Sequence, residues 1–213
     1  MKAGQPVSVF NGRGGEYDAE IIRADRNGVE IRVGAFRDRD SESCLDITLV
    51  QGISRSDRMD DTLRKAVELG VNRVIPVVSR YSQAGGDGSR GEKRCQRWHK
   101  ISISACEQCG RNHLPRIERP VAFTDYLEGG KTEGLKIILL PAARTRLSRL
   151  RPAERALTLA AGPEGGFSEE EVAAAEKRGF HPVALGPRIL RTETAALAAI
   201  SACQALWGDM GGG

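Results

Sequence analysis

From residue 46 onward, apolar positions fall into short unbroken runs separated by stretches of helical spacing. The runs are "DITLVQGI", "RVIPVVS", "KIILLP", "ALTLAAGP" and the shorter "PVALGP". Between the first two, "MDDTLRKAVELGV" puts Leu63, Ala66, Val67 and Leu69 at helical spacing and stops at Gly70. A long helix is predicted from about Lys93 to Cys109, with Trp98, Ile101 and Ala105 on one face. "LPRIERP" reads as a short extended piece and "VAFTDYLEG" as a helix ended by glycine. "SEEEVAAAEKRG" opens on an S-x-x-E capping box, Ser168 with Glu171, and ends at Gly179. The last helix, from about Thr192 to Leu206, is alanine-rich and suits either a core or an interface between two copies. Strands without alternation, spaced by helices, predict a parallel sheet covered on both faces. The expected unit is one α/β domain over residues 46–213.

Before residue 46 the period drops to two. "VSVF" alternates, "NGRGG" turns, "EYDAEIIRA" alternates in part, "DRNG" turns and "VEIRV" alternates clearly. These make a small β module over residues 1–40. The polar stretch "GAFRDRDSES" reads as its linker to the α/β domain.

Composition changes this picture little. Hydrophobic residues are 40% and charged residues 28% of 213, the balance of an ordinary globular chain. No apolar run approaches a membrane span, and "MKAGQPVSVFNG" has no signal core, so the cytoplasm is the expected compartment. Charge distribution is more informative. Nine Lys/Arg stand against four acids between Arg80 and Arg119, a local excess of five in a chain whose net charge is +4. That segment is either a solvated basic helix face or a footprint for a phosphate backbone. Its candidate RNA contacts are Arg80, Lys93, Arg94, Arg97, Lys100 and Arg111. Tyr81, Trp98, His99 and His113 are interleaved and could stack on bases, with Trp98 better suited to the core. The loop "YSQAGGDGSRGE" lies within the same segment.

Cys95, His99, Cys106, Cys109 and His113 have ligand-like spacing. Most of them fall along one helix, too far apart for a compact tetrahedral zinc site. A redox C-x-x-C favours a helix N-terminus, whereas "CEQC" sits near a helix end. Free thiols and no metal are therefore expected.

Three strand ends carry unusual turns: "LLPAA" at 139–143, "AGPEGGFS" at 161–168 and "LGPRILRTETA" at 185–195. Ligands of open parallel sheets sit outside the carboxyl ends of strands, so these loops predict one pocket. The middle loop is not a P-loop, for it lacks Lys, and its glycines do not match G-x-G-x-x-G. Pro163 removes a backbone donor and Glu164 adds a negative charge. Such a turn suits a nucleoside without phosphate, or a cation; it could also be no more than a tight turn before a capped helix. The third loop sets Arg188 and Arg191 beside Glu193, with Thr192 or Thr194 as the expected helix N-cap. Ile189 and Leu190 could flank a flat ring there or anchor the loop in the core.

Taken together, "GPEGGFSEEE", "LGPRILRTETAAL" and "ISACEQCGRNHLPRI", with "VQGISRSDRMDDTLRKAVELGV" before them, resemble the RsmE family of 16S rRNA (uracil-N3)-methyltransferases. The resemblance covers nearly the whole chain. It implies the SPOUT class: a trefoil-knotted α/β methyltransferase domain that works as a homodimer, preceded by a PUA-like β-barrel module. "MKAGQPVSVFNG" matches an internal segment of that module, so the module is expected to be incomplete at its N-terminus. The implied cofactor is S-adenosylmethionine (SAM), a positively charged nucleoside derivative with no phosphate. Carried onto this sequence, the family's motifs set it against Leu140 and Pro141. A second wall is Gly162, Pro163, Glu164, Gly165 and Gly166, and a third is Leu185, Gly186, Ile189, Leu190, Arg191 and Thr194. Arg191 would hold negative charge developing on uracil O2 or O4, and Glu193 would be the base or would orient an arginine. The implied partner is 16S rRNA or the small ribosomal subunit. Methylation of ribose 2′-OH or guanine N1 by another SPOUT enzyme is the alternative, as is a non-catalytic RNA-binding relative.

Overall fold

The computed structural model describes residues 2–82, 89–129 and 134–211, with the side chains of Ser89 and Arg90 left out. Part of the "YSQAGGDGSRGE" loop lies outside the described residues. The chain forms two units: Met1–Glu42 with Cys106–Leu114, and Ser43–Ala105 with Pro115–Gly213.

The first unit is built on an antiparallel sheet in the order β1 (Pro6–Val9), β2 (Glu16–Asp25), β3 (Gly28–Arg37). Register shifts lie between Tyr17 and Ala19 and between Ile21 and Arg23. These irregularities explain why "EYDAEIIRA" alternates only in part. β3 runs on to Arg37, so the first residues of the expected linker are strand. Gly15 has φ +65°, and a Cβ there would lie 2.2 Å from the Phe36 ring, which itself packs on Tyr17. The unit also recruits a distant segment. Gly14 N–H donates to Asn112 O, Leu114 N–H to Gly12 O, and Asn112 Nδ2 to Arg39 O. Cys106–Leu114, within the expected 46–213 domain, thus packs with the first unit, held by backbone pairing that local periodicity does not register.

Arg111 belongs to this recruited segment, and its expected role changes with its place. It is only 4% exposed, and its Nε and Nη2 both donate to the Glu42 carboxylate. Desolvation by burial pulls its pKa down, but the Glu42 carboxylate outweighs that and leaves the guanidinium above its ordinary range. A buried cation held in this way is withdrawn from any phosphate backbone.

The second unit contains β4 (Asp46–Gly52), α1 (Ser56–Glu68), β5 (Arg73–Val78) and most of α2 (Ser89–Cys109). It continues with β6 (Arg116–Ile117), β7 (Val121–Ala122), α3 (Phe123–Gly129) and β8 (Leu135–Leu139). β9 (Ala156–Ala161), α4 (Glu169–Lys177), β10 (His181–Val183) and α5 (Thr192–Trp207) complete it. The sheet order is β10-β8-β9-β4-β5-β6, with β7 also on β5, and every pairing is parallel.

Both faces of this sheet are covered, which is why its strands read as unbroken apolar runs. Ile47, Leu49, Ile137, Leu157 and Leu159 point into a core shared with Leu63, Trp98 and Ile200. Val50, Ile138 and Ala160 point the other way, toward Phe123, Tyr126 and Phe180. Trp98 is core, as its helical position suggested. On α5, Ala196, Ala199, Ile200 and Cys203 are fully buried, and the small volumes of the two alanines and the cysteine suit close packing on α1.

The capping box of α4 is present: Ser168 Oγ accepts from Glu171 N–H, and Ser168 N–H donates to Glu171 Oε2 at 2.8 Å. Replacing Ser168 with Ala should cost about 1 kcal/mol of unfolding free energy in urea titration. Replacing Arg111 with Ala removes a buried cation and strands the partly buried Glu42 carboxylate, and should cost about 3 kcal/mol by the same measurement.

Candidate functional site

Because the strands are parallel, the carboxyl ends of β8, β9 and β10 face one edge of the sheet. A cavity of about 480 Å³ opens there, a volume typical of small-molecule sites. Its first wall is Leu139, Leu140 and Pro141. Its second is the turn from Ala161 through Pro163 and Glu164 to Phe167, and its third runs from Leu185 and Gly186 through Ile189, Leu190 and Arg191 to Ala195. All the residues expected to contact a cofactor line it except Thr194, which is exposed on the first turn of α5.

Glycine is required in the second wall. Gly166 has φ +73° and its N–H closes a tight turn onto Pro163 O at 2.9 Å. A Cβ on Gly162 would sit 2.9 Å from the Gly166 backbone, which cannot yield as a side chain could.

A buried polar junction ties this wall to its neighbours. Gln51, at the end of β4, donates from Nε2 to Gly52 O, Ala161 O and Thr192 Oγ1. The Thr192 hydroxyl in turn donates to Gly162 O. Thr192 therefore does not cap α5. The N-cap position is Arg191, with no side-chain cap bond, because the threonine hydroxyl is spent on the glycine turn. Sequence reasoning passed over Gln51; a lone amide ending an apolar strand is its only local signal.

Glu164 lines the cavity and also has partners that the sequence did not show. Its Oε1 accepts the Arg55 N–H at 3.2 Å and Arg58 Nη1 at 3.3 Å. Arg55 is the N-cap of α1 and provides no side-chain cap, so a carboxylate from a remote turn meets the positive end of that helix. Arg58 lines the cavity and was not anticipated. Glu193 does not line it; the residue is half-buried, and its Oε2 is buried without a hydrogen-bond partner. Arg188 and Arg191 are exposed at the rim, and Ile189 beside them is 85% exposed.

Of the expected RNA contacts, Lys93, Arg97 and Lys100 line a shallow groove with Arg64, and Arg97 is paired with the buried Asp60. Arg94 lies over the Trp98 ring, and Arg80 pairs with Glu170 and lies over Tyr81. Burial pushes the Cys106 thiol up to about 11 and the Cys203 thiol up to about 12, which disfavours the thiolate a redox pair needs. Among the described residues no three His, Cys, Asp or Glu side chains converge on a metal-sized space.

The turn that forms the second wall offers little to a phosphate: it has no lysine, and the N-terminus of α4 behind it is already filled by its own capping box, while Arg58, Arg188 and Arg191 stand elsewhere in the lining of the cavity. Leucine side chains and glycine backbone form much of its lining, which fits an adenosine bound by peptide groups.

Comparison with known proteins agrees. The family model of an RNA methyltransferase domain matches residues 41–204, and that of an RNA methyltransferase PUA domain matches residues 1–34. The ribosomal RNA small subunit methyltransferase E of Buchnera aphidicola (from Schizaphis graminum) is 36% identical over 210 residues, spanning 99% of this chain and 85% of that protein. The chain belongs to the ribosomal RNA small subunit methyltransferase E family.

Solved structures point the same way. The Neisseria gonorrhoeae ribosomal RNA small subunit methyltransferase E, bound to SAM, superposes with a TM-score of 0.91 at 40% identity, covering 98% of this chain and 86% of that one. A Legionella pneumophila protein solved with SAM gives 0.93 at 39% identity, with the same coverage. The three walls are the ones that the resemblance read from the sequence sets around this cofactor. Gly162→Ala should weaken SAM binding at least about tenfold in calorimetry, because the added methyl forces open the turn that forms the second wall.

Proposed function

We propose that this chain transfers a methyl group from SAM to N3 of a uridine in the 16S rRNA of the small ribosomal subunit. The observation that carries the reading is the cavity: three strand-end walls of apolar and glycine residues, with no phosphate-binding lysine, in a chain of this family. When bound, SAM supplies a methyl group activated by its sulfonium. Leu140, Pro141, the 162–166 turn and the 185–191 loop would hold the nucleoside by shape and peptide groups.

The acceptor sets the remaining demands. Uracil N3 carries a proton and attacks only once that proton is lost, so negative charge must be stabilised on O2 or O4. Arg191 is the candidate for that role, and its exposed position in the lining of the cavity supports it. Glu193 stands outside the lining, which favours a role in orienting the loop and leaves water to take the proton. N3 lies on the pairing edge, so the target base must be presented unpaired. The groove of Arg64, Lys93, Arg97 and Lys100 would carry the neighbouring phosphates.

The same reading includes a homodimer formed through the methyltransferase unit, and work in the cytoplasm where ribosomes are assembled. Ile189 and Leu206 are exposed apolar side chains of that unit that a second copy could cover. It also includes a trefoil knot.

Nucleoside mass analysis of 16S rRNA treated with the protein should yield 3-methyluridine. A 2′-O-methylated nucleoside or 1-methylguanosine would replace the proposal with another SPOUT activity, and no product at all would leave an RNA-binding protein. Arg191→Ala should lower kcat about 100-fold while SAM affinity changes only a few-fold. Equal losses would reduce Arg191 to a binding residue.

A further inference from the structure

The charges lining the cavity are unbalanced for a cationic cofactor. Arg58, Arg188 and Arg191 face a single carboxylate, Glu164. Guanidinium groups repel a sulfonium, so their place in the wall calls for an anion in the same space, either the cofactor's own carboxylate or an acceptor that gains negative charge. Arg188 and Arg191 are exposed and have no ion pair among the described residues. Arg58 is different. Its side chain is 29% exposed and is held by Glu164, itself 24% exposed, through Nη1 at 3.3 Å. Glu164 is fixed independently by the Arg55 N–H, and the Arg58 carbonyl is tied down by Thr62 Oγ1 at 2.8 Å. Only one guanidinium nitrogen is engaged within the described residues, which leaves the rest of the donor fork for a ligand. Arg58 is thus an arginine of the wall whose geometry is set before any substrate arrives.

We propose that Arg58 is a second acceptor-side arginine, which donates to a uracil carbonyl oxygen as N3 loses its proton, and that Glu164 is its positioning residue. This rests on the reading that the protein methylates uridine N3. Glu164 then has two tasks: it cancels enough of the arginine's charge to permit a sulfonium nearby, and it aims the free donors. The presence of an acid in a turn that must admit a cation is explained without any direct contact between the two. The other charged groups around this position are Arg55 and Asp57 on α1 and Arg188 and Arg191 on the loop before α5. The ionisation that the experiment follows is loss of the uracil N3 proton.

A cation beside the uracil lowers the pH at which N3 ionises; removing it raises that pH. The experiment is the pH dependence of single-turnover methylation for the native protein, Arg58→Ala and Arg58→Lys, with 3-methyluridine as the product measured. SAM affinity is followed by calorimetry on the same samples. For Arg58→Ala the rate midpoint should move up by about one pH unit or more, the rates converging with native at high pH, while SAM affinity stays within about threefold. Arg58→Lys keeps the charge and loses the fork, so its midpoint should fall between the two; it also serves as the deciding variant if Arg58→Ala does not fold. A loss of rate equal at every pH, with the midpoint unmoved, would overturn the proposal and leave Arg58 as a structural partner of Glu164. An unmoved midpoint with weakened SAM binding would overturn it in favour of a cofactor contact. Native protein that makes no 3-methyluridine would bring down the function itself, and the proposal with it.

Discussion

The hydroxyl of Thr192 is the point on which the site depends. It accepts from the buried amide of Gln51 and donates to the Gly162 carbonyl. Through that one atom the end of β4, the turn after β9 and the first turn of α5 are fixed relative to each other. A net hydrogen bond is worth only about 1 kcal/mol, but leaving a buried partner unsatisfied costs about 1–3 kcal/mol, so the junction resists partial opening. The arrangement is not free of cost, since Gln51 Oε1 is buried with no partner. What it secures is position: two of the three walls cannot drift apart without breaking it.

The second constraint is electrostatic. A cavity for a sulfonium nucleoside must avoid repelling its charge, yet methylation of a uracil nitrogen needs positive groups near the acceptor. The protein separates these demands by holding Arg58 on Glu164 and by seating that same carboxylate at the N-terminus of α1. The helix end, the acid and the arginine form a short chain of compensated charge. The exposed Arg188 and Arg191 sit at the rim, facing solvent where RNA would approach.

Much of this was legible in the sequence. Runs such as "KIILLP" and "ALTLAA" announced strands buried on both faces, and Ile137 and Ile138 do point into opposite cores. The capping box at Ser168 was readable because its signal is local and chemical. The three turns marked the cavity because glycine and proline restrict the backbone wherever they occur. What escaped was tertiary. Nothing near Arg111 distinguishes it from the surface cations around it; its pairing with Glu42, 69 residues away in sequence, is tertiary and leaves no local signal. Thr192 and Thr194 were equivalent N-cap candidates until the fold brought Gly162 to one of them. Arg58 sits in an ordinary polar helix start, and its meaning comes from an acid 106 residues distant.

The central claim is that the strand-end cavity recognises a phosphate-free cationic nucleoside. Parallel calorimetric titrations of the native protein with SAM and with ATP, at equal ionic strength, test it most directly. The account predicts saturable binding of SAM at one site per chain and no measurable binding of ATP. Saturable ATP binding as tight as that of SAM would contradict it.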